Sequence, residues 1–149
     1  GVALPAEQVD MLALAEDVSE ILAPSAAERK VSVSVSGAGF TVMGIRRMLH
    51  EVVYNLCDNA IKYNIPGGSV MIHAENNRLT VSDTGIGIPA EHQDRIFERF
   101  YRMDPARTGS GSYGLGLSIA KSIITEHGGK IWAESENGIN TFFVQLPIR

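Results

Sequence analysis

Cysteine is nearly absent. Cys57 stands alone, so no disulfide closes within the chain, and the thiol suits a reducing compartment. It falls within a predicted helix, where a buried, inert thiol is expected. No apolar run is long enough to cross a bilayer, and no basic-then-apolar leader opens the sequence. If the parent protein is anchored in a membrane, this segment is expected to make no direct contact with it. Basic residues form no stripe, and 13 Lys+Arg against 17 Asp+Glu leave a formal net charge of -4, which argues against nucleic acid as the main partner. Repeats, low-complexity tracts and long linkers are also missing. What remains is 149 residues, 44% hydrophobic and 20% charged, the composition of one ordinary globular domain.

The local patterns divide the chain into helices and paired strands. Asp10 is placed to cap a helix from about Met11 to about Arg29, with Pro24 a site for a kink or interruption. Val31 to Ser36 alternates valine with serine and predicts a half-buried strand. After Gly37-Ala38-Gly39 a short strand is expected over Phe40 to Met43. A long helix from Ile45 to about Asn64 is stopped by Pro66-Gly67-Gly68. Ser69 to Glu75 and Leu79 to Asp83 read as a hairpin across Asn76-Asn77-Arg78. A short helix is expected over Ala90 to Tyr101, a mobile loop over Met103 to Tyr113, and a helix over Gly116 to His127 ended by Gly128-Gly129. Lys130 to Glu136 and Thr141 to Leu146 supply two more strands. Adjacent strand pairs, without strict alternation with helices, predict an α+β two-layer α/β sandwich.

On a helical wheel the long helix separates into two arcs. Ile45, Leu49, Val52, Val53, Leu56 and Ala60 form the apolar arc expected against the sheet. Glu51, Asn55, Asp58, Asn59 and Lys62 form the polar one. Asn is a mediocre helix former where Glu, Lys, Gln or Arg would serve a merely solvated face. Asn55 and Asn59 lie one turn apart, so their amide oxygens can converge. A hard cation such as Mg²⁺ seeks oxygen ligands and keeps phosphate oxygens and water, and Lys62 adds a charge suited to phosphate.

Two glycine motifs follow. Asp83-Thr84-Gly85-Ile86-Gly87-Ile88 ends a predicted strand. Its glycines permit a tight turn and close approach of a flat ligand to the backbone, and Asp83 can accept a hydrogen bond from an exocyclic amine such as that of adenine. Gly109 to Gly114 matches G-x-G-x-x-G, but no strand precedes it, so the dinucleotide-binding reading is rejected. Gly114-Leu115-Gly116-Leu117 instead opens a helix, where bared N–H groups and the helix dipole favour an anion.

Taken together these segments resemble the histidine kinase catalytic and ATP-binding domain of the GHKL superfamily. His50 to Tyr63 is similar to the N box, Asp83 to Ile88 to the first G box, Arg95 to Arg102 to the F box, and Gly114 to Lys121 to the second G box, in family order and spacing. The resemblance covers almost the whole chain. It implies a Bergerat-type fold: a mixed, mostly antiparallel sheet with helices on one face and a mobile ATP lid at about 103–113. It also implies Mg²⁺ on Asn59, with Asn55 in support. Lys62 and Tyr63 would contact phosphate and the sugar or base edge, and Asp83 the adenine amine. Gly85, Gly87, Gly114 and Gly116 would supply the close backbone approach, and Ile88, Leu115, Leu117 and Thr141 are further nucleotide-binding candidates. Arg99 and Arg102 are F-box candidates for phosphate, or solvated surface arginines. Asn140 stands where the family's Gly-x-Gly-Thr/Ser run has its second glycine, which puts the local turn in doubt, and Asn64 replaces a commoner Thr or Ser.

The implied function is transfer of the γ-phosphoryl group from Mg-ATP to a histidine on a separate dimerisation and phosphoacceptor hairpin, serving a response regulator downstream. His50-Glu51 lies inside the N box and lacks the acceptor motif's following proline, and Tyr54 rules out H-E-x-x-H zinc chemistry. The chain alone is expected not to autophosphorylate, to be monomeric and to be cytoplasmic. Two alternatives stay open: an ATPase of the gyrase, MutL or heat-shock type with Glu51 activating water, and a nucleotide-binding regulatory module without catalysis. Serine-kinase anti-sigma factors fit the F box and lid less well.

Overall fold

The computed structural model describes residues 5–85, 90–98 and 115–148. Its elements are β1 (Glu7–Asp10), α1 (Met11–Glu28), β2 (Ser32–Gly39), β3 (Thr41–Gly44), α2 (Arg46–Lys62), β4 (Ser69–Glu75), β5 (Arg78–Asp83), α3 (Ala90–Gln93), α4 (Leu115–Glu126), β6 (Lys130–Glu136) and β7 (Ile139–Gln145).

Asp10 caps α1 as expected, its Oδ1 accepting from the N–H groups of Leu12 and Ala13 at 3.1 and 3.0 Å. Pro24 does not interrupt this helix. Pro24 is exposed, as is Glu20 one turn earlier, so the carbonyl that loses its donor faces water. β1 was not expected: its four residues carry one buried side chain, Val9, too little for an alternation to show. It pairs antiparallel with β3.

Five strands form the main sheet in the order β2-β4-β5-β7-β6. β2 and β4 are parallel and the other neighbours antiparallel, which is the mixed, mostly antiparallel sheet predicted. The glycines after Ser36 do not break β2. A bulge between Ser36 and Gly39 absorbs them, and Gly37, at φ 110°, sits where a side chain would run into the carbonyl oxygen of Ala74. The β4–β5 turn is Asn76-Asn77 at φ 52° and 61°, and the β6–β7 turn is Asn137-Gly138 at 53° and 78°. Both have the left-handed pair that a two-residue hairpin requires.

α1, α2 and α4 cover one face of the sheet. α2 buries Leu49, Val52, Val53, Leu56, Cys57, Ala60 and Ile61; Ile45 is its N-cap and only half-buried. The Cys57 thiol is buried, and burial with the neighbouring Asp58 charge pushes its pKa up, so it is inert as expected. α3 is shorter than predicted, and Arg95 and Ile96 close it by donating to the His92 carbonyl at 2.9 and 3.0 Å. Beyond it Ile96 and Phe97 are buried, and Phe97 meets Phe142 edge-on at 6.2 Å.

His127 ties α4 to α2. Its Nδ1–H donates to the Ile123 carbonyl at 2.8 Å while Nε2 accepts from the Ile45 N–H at 3.1 Å, a pairing that specifies one neutral tautomer. The C-terminus of α4 therefore abuts the N-terminus of α2, and the two helices are in contact. The 12 residues of α4 span about 18 Å. Among the described residues, no helix is long and apolar enough to cross a membrane.

Candidate functional site

The polar arc of α2 ends where β5 ends. Asn55 and Asn59 are half-buried, Glu51 is exposed, and the Tyr63 N–H donates to the Asn59 carbonyl at 3.0 Å. Lys62 is paired with Asp58 one turn before it, Nζ to Oδ2 at 2.9 Å. That hydrogen bond and charge raise the Lys62 pKa, so it is a cation already engaged by a carboxylate.

Asp83 closes β5 with its side chain on the helix-covered face, 1% exposed. Oδ1 accepts from the Gly85 N–H at 2.8 Å and from Asn140 Nδ2 at 2.9 Å. Oδ2 is buried and has no hydrogen-bond partner among the described residues. Burial raises the carboxyl pKa, while the bonds from Asn140 and Gly85 oppose that rise. Proteins rarely leave such an acceptor unsatisfied. An incoming N–H donor is what this oxygen lacks.

The loop from α2 to β4 is held by side chains that the sequence did not single out. Asn64 Nδ2 donates to the Ser69 carbonyl at 3.0 Å, and its Oδ1 accepts from the Ile65 N–H at 2.8 Å and from Thr84 Oγ1 at 3.2 Å. Thr84 Oγ1 in turn accepts from the Ser69 N–H at 3.0 Å. Gly85 lies against this loop so closely that a side chain there would strike the Tyr63 carbonyl oxygen. Its glycine thus permits close contact between β5 and the end of α2.

Other predicted residues separate. Leu117 is fully buried in the core, so its side chain cannot face a ligand. Leu115 and Gly116 open α4. Thr141 points the other way: β7 turns Asn140, Phe142 and Val144 inward, while the Thr141 hydroxyl lies 3.0 Å from Ser82 Oγ on the uncovered face. Strand parity places its side chain on the face opposite Asp83. Gly87, Ile88, Arg99, Arg102, Gly114 and the lid at 103–113 lie outside the described residues.

Comparisons with known proteins agree on the class. Residues 44–149 match the family model for histidine kinase-, DNA gyrase B- and HSP90-like ATPases. The chain is 39% identical over 145 residues to sensor protein IrlS of Burkholderia pseudomallei, covering 93% of this chain and 31% of IrlS. It is 46% identical over 105 residues to sensor protein SrrB of Staphylococcus aureus, covering 66% of this chain and 18% of SrrB. The chain therefore spans under a third of either relative. The catalytic domain of histidine kinase ThkA superposes with a TM-score of 0.84 at 26% identity, covering 97% of each chain, and ThkA is also seen in complex with response regulator protein TrrA. The chain belongs to the histidine kinase-, DNA gyrase B- and HSP90-like ATPase family, and its fold is that of a histidine kinase catalytic domain.

Proposed function

We propose that this chain binds ATP with Mg²⁺ and directs the γ-phosphoryl group to a histidine on a separate acceptor domain, as the cytoplasmic, monomeric ATP-binding domain of a two-component sensor kinase. The observation that carries the reading is Asp83, a buried carboxylate with one oxygen satisfied by the protein and the other unpartnered. That oxygen suits the exocyclic amine of adenine and is repelled by the keto oxygen of guanine.

The remaining roles follow from position. Asn55 and Asn59 offer neutral amide oxygens on one helix face, and among the described residues no group of three or more His, Cys, Asp or Glu side chains forms a metal cage. A Mg²⁺ ion that completes its shell with phosphate oxygens and water fits such a set; bound there, it would neutralise charge on the phosphates. Asn59 is the assigned ligand, with Asn55 beside it. The N–H groups and dipole at the α4 start, Leu115 and Gly116, suit the negative charge of a phosphate chain. Lys62 and Tyr63 flank it, and Gly87, Ile88, Gly114, Arg99 and Arg102 keep the contacts that the resemblance implies.

Positioning and charge neutralisation are most of what phosphoryl transfer needs. No acceptor histidine is assigned within the chain. His50 faces Asp17 at 2.9 Å, and His127 is held between two helices.

The test mixes the chain with ATP, Mg²⁺ and a cognate acceptor-histidine domain. Acid-labile phosphate should appear on the acceptor, and Asn59→Ala should lose the Mg²⁺-dependent part of ATP affinity. Steady release of free phosphate without an acceptor would favour an ATPase using Glu51. Nucleotide binding with neither outcome would leave a regulatory module.

A further inference from the structure

At the end of the sheet nearest the site, three polar side chains form a row across three neighbouring strands. Asp83 on β5 is register partner of Asn140 on β7, and Asn140 is partner of Ser135 on β6. The row lies on the helix-covered face, because β5 buries Leu79, Val81 and Asp83 in alternation and β7 buries Asn140, Phe142 and Val144. Asn140 is 1% exposed, deep enough that its presence there requires explanation. Ser135 Oγ donates to Asn140 Oδ1, which fixes the amide so that Nδ2 is the edge facing Asp83 at 2.9 Å.

We propose that Asn140 is a positioning residue for base recognition: together with the Gly85 N–H it saturates Asp83 Oδ1, so that Oδ2 alone is presented to the amine of an adenine nucleotide. This rests on the reading of Asp83 given above.

A carboxylate free to rotate would divide its two oxygens between protein and ligand. Here two donors converge on one oxygen and lock the plane of the carboxyl group. A neutral amide donor also supports the ionised form in a site where burial opposes it. A glycine at position 140 would have no side-chain donor, and Asp83 would rely on the Gly85 N–H. Ser135 acts one step further out. Without its hydroxyl the amide can flip and point its oxygen at the carboxylate, which is repulsive.

The chemistry makes the role separable from simple packing. Adenine binding needs Oδ2 unprotonated, so ATP affinity is complete above the Asp83 pKa and is lost as pH falls through it. Removing the Asn140 donor raises that pKa further and moves the acid limb to higher pH.

The experiment is calorimetric titration of the whole chain with ATP and GTP between pH 3.5 and 8, on the wild type, Asn140→Ala, Asn140→Val and Ser135→Ala, with thermal unfolding of each. Asn140→Ala is expected to lose about tenfold in ATP affinity, to lose ATP-over-GTP preference, and to shift its acid limb upward. Ser135→Ala should change in the same direction by less. Phe142→Leu, a packing change on the same strand, should lower the melting temperature and leave the acid limb in place. If Asn140→Ala does not fold, Asn140→Val decides the matter, since its side chain fills the site and carries no donor for Asp83. A folded variant with wild-type preference and an unmoved limb overturns the inference, while the Asp83 reading survives if Asp83→Asn still abolishes the preference. Absence of ATP binding by the wild type overturns both.

Discussion

Strands β5, β7 and β6 carry two polar arrangements on opposite faces. On the uncovered face Trp132 and Phe143 stack at 5.0 Å and 3°, with the Arg78 guanidinium 5.3 and 5.6 Å from their ring centres. Arg78 Nε donates to Gln145 Oε1 at 2.8 Å. These groups satisfy one another beside water. On the covered face, Asp83 keeps a charge out of water and leaves one oxygen without a partner among the described residues. The outer set is what a sheet does with polar and aromatic side chains to stay soluble and ordered. The inner one opposes stability, which points to a ligand as its reason.

Adjacent phenylalanines on β7 sharpen that contrast most. Phe142 is fully buried, edge-on to Phe97, and Phe143 lies half-buried on the outer face. Phe142→Ala should cost about 3–5 kcal/mol in a denaturant titration. Phe143→Ala should cost about 1 kcal/mol and leave nucleotide affinity unchanged. Equal costs would mean that the outer face is not open.

A smaller effect concerns pH. Because burial raises the Asp83 pKa above its ordinary value of 3.8, the folded chain holds the proton more tightly than the unfolded chain. Its contribution to stability is present below that value and is lost as pH rises through the raised one. Chemical denaturation of the ligand-free wild type and Asp83→Asn across pH 3.5 to 7 should show the variant gaining stability relative to the wild type. A constant difference would place the carboxyl in a water-like setting.

Much of this was legible in the sequence because its signals are local. The asparagines on α2 and the Asp-Thr-Gly turn are read along one stretch of chain, as are the Asp10 cap and the β4–β5 hairpin. What was missed is contact between distant segments. Asn64 clamps a loop through Thr84 and Ser69, and His127 joins α2 and α4. Asn140 read as a defect in a turn until β5 was seen beside it. One signal could have placed it: Asn140, Phe142, Val144 and Leu146 alternate with Thr141, Phe143 and Gln145, so the asparagine shares the buried parity and Thr141 the open one.

The most direct measurement is calorimetric titration of ATP and GTP into the wild type and Asp83→Asn at pH 7 with Mg²⁺. A charged acceptor lost to the base is expected to weaken ATP by about 10- to 100-fold, to abolish its advantage over GTP, and to leave the variant folded. Unchanged ATP affinity and preference in a folded Asp83→Asn chain would contradict the assignment of that carboxylate as the reader of the base.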